Sequence, residues 1–168
     1  MTGYRNLGLL ALVLVTLAAC TTVHVESPAS AMGAQMSVER FLQAANQRDV
    51  RAMGRIFGTK DGPAMDTGGT FGCAFKKIAS WFGGSSCVRK EDVEIRMEAI
   101  ASILEHTDYT IVNQQRVAGR THPATRILVD LTTIHGVVVE RLPFIVVQRD
   151  GGQWLVEQVD LQRVMAAR

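Results

Sequence analysis

Four stretches rich in Val, Ile, Leu, Thr and aromatic residues fill the second half of the chain, at residues 109–117, 124–134, 137–148 and 154–161. They are separated by short punctuation that includes Gly119, His135-Gly136 and Asp150-Gly151-Gly152. A parallel pair needs a crossover of roughly a dozen residues or more, so strands this closely spaced must pair mostly antiparallel. Ile127, Val129 and Leu131 alternate with Leu128, Asp130 and Thr132. One face of the second strand is therefore apolar, and the other would be polar but for Leu128. Pro143 cannot donate a ladder hydrogen bond, which predicts a bend or bulge near it. A long bent strand lets a sheet curl around whatever covers its apolar face.

The covering elements come first in the chain. Ser37 is placed as an N-cap with Glu39 in the first turn, and Met36 could staple onto Phe41. Val38, Phe41, Leu42 and Ala45 then form one helical stripe. Asn46, Gln47 and Arg48 interrupt it, Asp49 can cap again, and Val50, Met53, Ile56 and Phe57 resume it until Gly58. Residues 59–72, with Gly62, Pro63, Gly68, Gly69 and Gly72, read as a long loop. Phe71, Phe75, Ile78 and Phe82 predict a short amphipathic helix stopped by Gly83 and Gly84. A longer helix over 90–106 carries Val93, Met97, Ile100 and Leu104 on one face. Glu91 and Asp92 lie at its positive end and His106 at its negative end. Helices followed by a curved four-stranded, mainly antiparallel sheet make an α+β roll.

The N-terminus has a different character. Tyr4 and Arg5 precede an apolar run over 7–19 that ends in Ala18-Ala19 before Cys20, the layout of a secretion signal with a small-residue cleavage site. The run is short of the roughly 18–20 residues that span a bilayer. Residues 1–19 thus read as signal peptide, 20–35 as a flexible tether of small residues, and 36–168 as one domain. Of 18 basic and 16 acidic residues only Arg5 leaves with the signal, so the remaining balance is 17 − 16 = +1. A near-neutral domain without Lys/Arg blocks argues against a nucleic-acid partner.

Leu17-Ala18-Ala19-Cys20 resembles a lipobox, the pattern of bacterial lipoprotein signal peptides. The resemblance implies that Cys20 is diacylated and attaches the chain to a membrane. Thr21 stands where aspartate would imply retention at the inner membrane, which implies an outer-membrane anchor facing the periplasm. Of three cysteines, Cys73 and Cys87 then remain as a pair in an oxidising compartment and are expected to form a disulfide. The alternative is two buried thiols.

Phe41-Leu42-x-Ala44-Ala45-Asn46-x-x-Asp49-Val50-x-x-Met53-x-x-Ile56-Phe57 resembles the opening helix pair of the NTF2-like (SnoaL-like) superfamily. Gly152-x-Trp154-Leu155-Val156, followed by Val159 and Leu161, resembles its last strand. The resemblance implies a cone with a pocket and pairing of two copies through the outer face of the sheet. The superfamily includes isomerases, dehydratases and non-catalytic binding domains, so fold alone does not give function. The Cys-bracketed insert departs from many such domains.

No Walker loop, nucleophile elbow or dinucleotide fingerprint is present, and no cofactor is expected. His24, His106, His122 and His135 lack metal-ligand spacing, so no metal site is expected either. The remaining acid/base candidates are Tyr109, Asp130, His135, Glu157 and Asp160. A carboxylate in an apolar cavity could move a proton while a tyrosine hydroxyl stabilises an oxyanion. Alternation alone instead places Asp130 and Glu157 in solvent, with Tyr109 and Trp154 in the core. The leading expectation is a lipid-anchored, non-catalytic module that binds a small apolar ligand or an envelope protein. The rivals are an isomerase or hydrolase using a strand carboxylate such as Asp130, and a structural subunit docking through its aromatic insert.

Overall fold

A computed structural model describes residues 28–66 and 90–167. The expected signal peptide, the expected lipid attachment at Cys20, and the 73–87 insert with its expected disulfide and short helix lie outside those residues. Helices α1 (Pro28–Asn46) and α2 (Val50–Ile56) are followed by the two-residue strands β1 (Gly58–Thr59) and β2 (Gly62–Pro63). Then come α3 (Lys90–Leu104), β3 (His106–Arg116), β4 (Ala124–Thr133), β5 (Val138–Gln148), β6 (Trp154–Val159) and α4 (Leu161–Ala166). The four long strands form one antiparallel sheet in the order β3-β4-β5-β6. This is the expected α+β roll, open and curved, with the helices on its inner face, and it is consistent with an NTF2-like fold.

The core lies where the apolar stripes meet the inner face of the sheet. Phe41, Leu42 and Met53 from the helix pair and Val93, Met97 and Leu104 from α3 are buried with Ile127, Val129 and Leu131 of β4 and Leu142, Phe144 and Val146 of β5. The rings of Phe41 and Phe57 stack at 5.9 Å. Asp49 caps α2 as expected, its carboxylate accepting from Ala52 N at 2.9 Å. At the elbow Arg48, in the left-handed region with φ 51°, reaches Glu98 and Glu105 around α3.

The first helix starts earlier than the sequence suggests. Ser37 does not cap it, and residues 28–35 are not tether: α1 begins at Pro28, and Met36 sits partly exposed in mid-helix instead of stapling onto Phe41. Proline is well suited to the first helical position, and Ala29, Ala31 and Ala34 have high helix propensity. The small residues that resemble a linker serve close approach instead. A Cβ on Gly33 would lie 2.8 Å from Trp154 Cδ1, and Ser37 Oγ donates to Trp154 O at 3.0 Å.

Three other boundaries move. Residues 58–63 are a tight hairpin rather than open loop, and a Cβ on Gly58 would fall 2.2 Å from Gly62 O. Helix α3 stops at Leu104, and His106 opens β3 instead of ending the helix. The last strand ends at Val159, because Asp160 caps α4 by accepting from Arg163 N at 3.2 Å.

The bend expected near Pro143 is present as a β-bulge. Register passes from Leu131 opposite Val139 to Val129 opposite Leu142, so Glu140 and Arg141 together face Asp130. Arg141 takes a φ of 52°, and its amide donates to Asp130 Oδ1 at 2.7 Å.

Candidate functional site: a groove on the outer face of the sheet

The five acid/base candidates do not converge. Tyr109 is on the inner side of β3, half-buried against the core. Asp130 is on the outer face, engaged by the bulge amide of Arg141. His135 is exposed in the β4–β5 turn. Glu157 pairs with Arg120 at 2.5 Å, and Asp160 is occupied as a helix cap. Burial raises the Tyr109 hydroxyl above its usual pKa, with smaller contributions from Glu39 and Asp108. None of the other four candidates shares a cavity with it; the carboxylate that does is Glu39 of α1, which accepts from Gln35 Nε2 at 3.0 Å.

Two concavities stand out among the described residues. The smaller, of about 380 Å³, lies between α1 and the start of β3 and is bordered by Glu39, Gln43, Asn46, His106 and Tyr109. His106 is buried there and fully engaged. Its Nδ1 is 2.7 Å from Leu104 O, which makes Nδ1 the protonated nitrogen, and Nε2 is 3.3 Å from the Asn46 amide nitrogen as its acceptor. Asn46 also donates to His106 O at 2.9 Å and accepts from His106 N at 3.1 Å. Desolvation lowers the imidazole pKa, partly opposed by the bond to Leu104 O and by Asp108. With both nitrogens committed, this histidine clips the end of α1 to the start of β3. The histidine spacing gives no hint of the clip, because its partner is Asn46, which the sequence offers only as a stripe-breaking elbow residue.

The larger concavity, about 900 Å³, lies on the opposite, outer face of the sheet. Strand register explains its construction. Arg126 is opposite Ile145 and Leu128 is opposite Pro143, so even-numbered residues of β4 meet odd-numbered residues of β5 on the face away from the helices. Leu128, Pro143 and Ile145 form an apolar floor. The loop after β3 makes one wall, because Arg120 reaches across β4 and β5 to Glu157 of β6. The first turn of α4 makes another, where Arg163 Nη1 donates to Arg141 O at 2.9 Å. Arg120, Arg126, Arg141 and Arg163 all line the groove. Leu128 as the apolar exception on a polar face, and Pro143 in mid-strand, are the sequence signals that point here.

Among the described residues no group of three His, Cys, Asp or Glu side chains could hold a metal ion, and no helix is long and apolar enough to cross a membrane. Comparison with known proteins finds no family model that matches the chain and no match among curated protein sequences.

Proposed function

We propose that the chain is a lipid-anchored, periplasm-facing binding module with no catalytic role, and that it meets its ligand or protein partner on the outer face of the sheet. The observation that supports this reading is the division between the two faces. The inner face is filled by tightly buried side chains such as Phe41, Phe144 and Leu142, whereas the outer face carries an open groove with an apolar floor and a charged rim. An apolar floor with a few polar groups around it is the make-up of small-ligand pockets, and the volume lies within the roughly 300–1,000 Å³ usual for them. The isomerase or hydrolase alternative would use Asp130, but that carboxylate is engaged by a backbone amide and faces away from Tyr109. The structural-subunit alternative rests on the aromatic insert between Cys73 and Cys87, which lies outside the described residues.

Attachment through Cys20 to the outer membrane belongs to the same proposal, and so does the Cys73–Cys87 bridge. The test is native mass spectrometry of the full chain isolated from its own envelope, alongside Leu128→Glu. A bound species on the wild type that Leu128→Glu removes supports the reading. An adduct indifferent to that substitution places the binding surface elsewhere, and an unmodified Cys20 on the mature chain removes the anchor.

A further inference from the structure

The groove has a charged end and a floor of defined chemistry, and together they select a class of occupant. Register lines up Gln115 of β3, Arg126 of β4, Ile145 of β5 and Gln158 of β6 in one row across the outer face. All four line the groove, and the row contains no carboxylate. Among the described residues the Arg126 guanidinium has neither an ion pair nor a hydrogen-bond partner. The nearby Arg120 is neutralised by Glu157. The other end of the floor is different. There, among the described residues, the guanidinium groups of Arg141 and Arg163 make no ion pair either, but Glu140 and Asp160 also line the groove and Asp130 accepts from the Arg141 amide, so carboxylates stand beside the positive charge. Between the two ends run Ile145, Leu128 and Pro143, which offer a strip of apolar surface and no hydrogen-bonding side chain.

We propose that the groove binds a single-chain anionic amphiphile, a carboxylate head on an unbranched hydrocarbon tail. The head pairs with the Arg126 guanidinium, flanked by the Gln115 and Gln158 side-chain amides, and the tail lies along Ile145, Leu128 and Pro143 toward the bulge. A guanidinium matches a carboxylate bidentately, and amide N–H groups supply further donors. The tail gains by leaving water for the floor. The alternative occupant is an acidic protein segment, which would need cationic partners along its length. The middle of this groove offers only apolar side chains, and its far end carries carboxylates of its own, so the charge pattern fits one anion and one tail better. This inference rests on the reading of the outer groove as the binding surface.

The experiment uses the full chain in phosphatidylcholine nanodiscs and two probes, laurate bearing a terminal diazirine and the matching neutral alcohol, with the sites of photolabelling mapped by peptide mass spectrometry. Laurate is expected to label the peptides that contain Leu128 or Pro143. Arg126→Ala is expected to weaken laurate by about tenfold, the worth of one charge-assisted contact, and to leave the alcohol unchanged. Arg141→Ala is expected to change laurate by less than about threefold, as for a surface charge with carboxylates beside it. Both arginines are exposed, so melting curves should show that both variants fold. Equal labelling by laurate and alcohol, or an Arg126→Ala variant that binds laurate normally, overturns the anionic head while leaving the groove as the binding surface. Failure of both probes beside a Leu128-dependent protein adduct from the envelope overturns the amphiphile in favour of a protein partner. An envelope adduct that ignores Leu128 overturns the groove itself.

Discussion

Gly33 and Trp154 give the sharpest test of how this fold is packed, because two effects of known size oppose each other at one position. Gly33 sits inside α1, where exchanging glycine for alanine ordinarily stabilises a helix by about 1 kcal/mol. Here the added methyl would lie 2.8 Å from Cδ1 and 3.0 Å from Nε1 of Trp154. Optimal carbon–carbon contact is about 3.5–4.0 Å, so the overlap approaches an ångström. The indole is 8 % exposed and held in the core, and overpacking a site of that kind costs about 1–3 kcal/mol. The clash should therefore win by about 1 kcal/mol. For a domain of this size that lowers the thermal midpoint by about 4 °C. In a Trp154→Val background the ring is gone, and the same Gly33→Ala change should raise the midpoint by a similar amount. Thermal unfolding followed by circular dichroism for the four variants of the cycle measures the coupling directly. A Gly33→Ala protein more stable than its parent in both backgrounds would refute the contact with Trp154.

Three further outcomes follow from the geometry. Phe41→Ala should cost about 3–5 kcal/mol in chemical denaturation because the ring is fully buried, whereas Gln47→Ala on the exposed side of the elbow should stay within about 0.5 kcal/mol; equal costs would mean the buried face is misassigned. His106 has a folded pKa below its unfolded value, so its contribution to stability is complete above about pH 6.5 and is lost as the pH falls toward the folded value. Denaturation midpoints should therefore decline on acidification through that window, and His106→Gln should flatten the decline; an unchanged slope in the variant would contradict the account of the clip. Asp49→Ala should cost about 1 kcal/mol through loss of the α2 cap, and Asp49→Ser should recover most of it.

The parts of this structure that can be read from sequence are those set by local periodicity. Val38, Phe41 and Leu42 announce a helix face, Val93, Met97, Ile100 and Leu104 another, and Ile127, Val129 and Leu131 a sheet face, because helical and strand spacings need no knowledge of distant residues. Asp49 and Pro143 are equally legible, since a cap and a missing donor act within a few positions. What escapes is long-range. Gly33 looks the same whether it loosens a linker or admits an indole, and Ser37 reads as a cap until its hydroxyl is brought to Trp154 O; only the arrival of Trp154 distinguishes the cases. His106 reads as a helix end until Asn46 is brought against it. The outer groove is half legible. Leu128 and Pro143 mark the floor, but the wall depends on Arg120 crossing two strands to reach Glu157, and no pattern in residues 117–123 encodes that reach.

The central claim is that partners meet this domain on the outer face of its sheet, and photocrosslinking in the intact envelope tests it most directly. A photoreactive amino acid placed at Leu128, on the floor of the outer groove, should give a discrete adduct with a ligand or a protein. The same group at Gln43, beside the cleft between α1 and β3, should give none. An adduct from position 43 with none from position 128 would contradict the account and move the binding surface to the helix side of the domain.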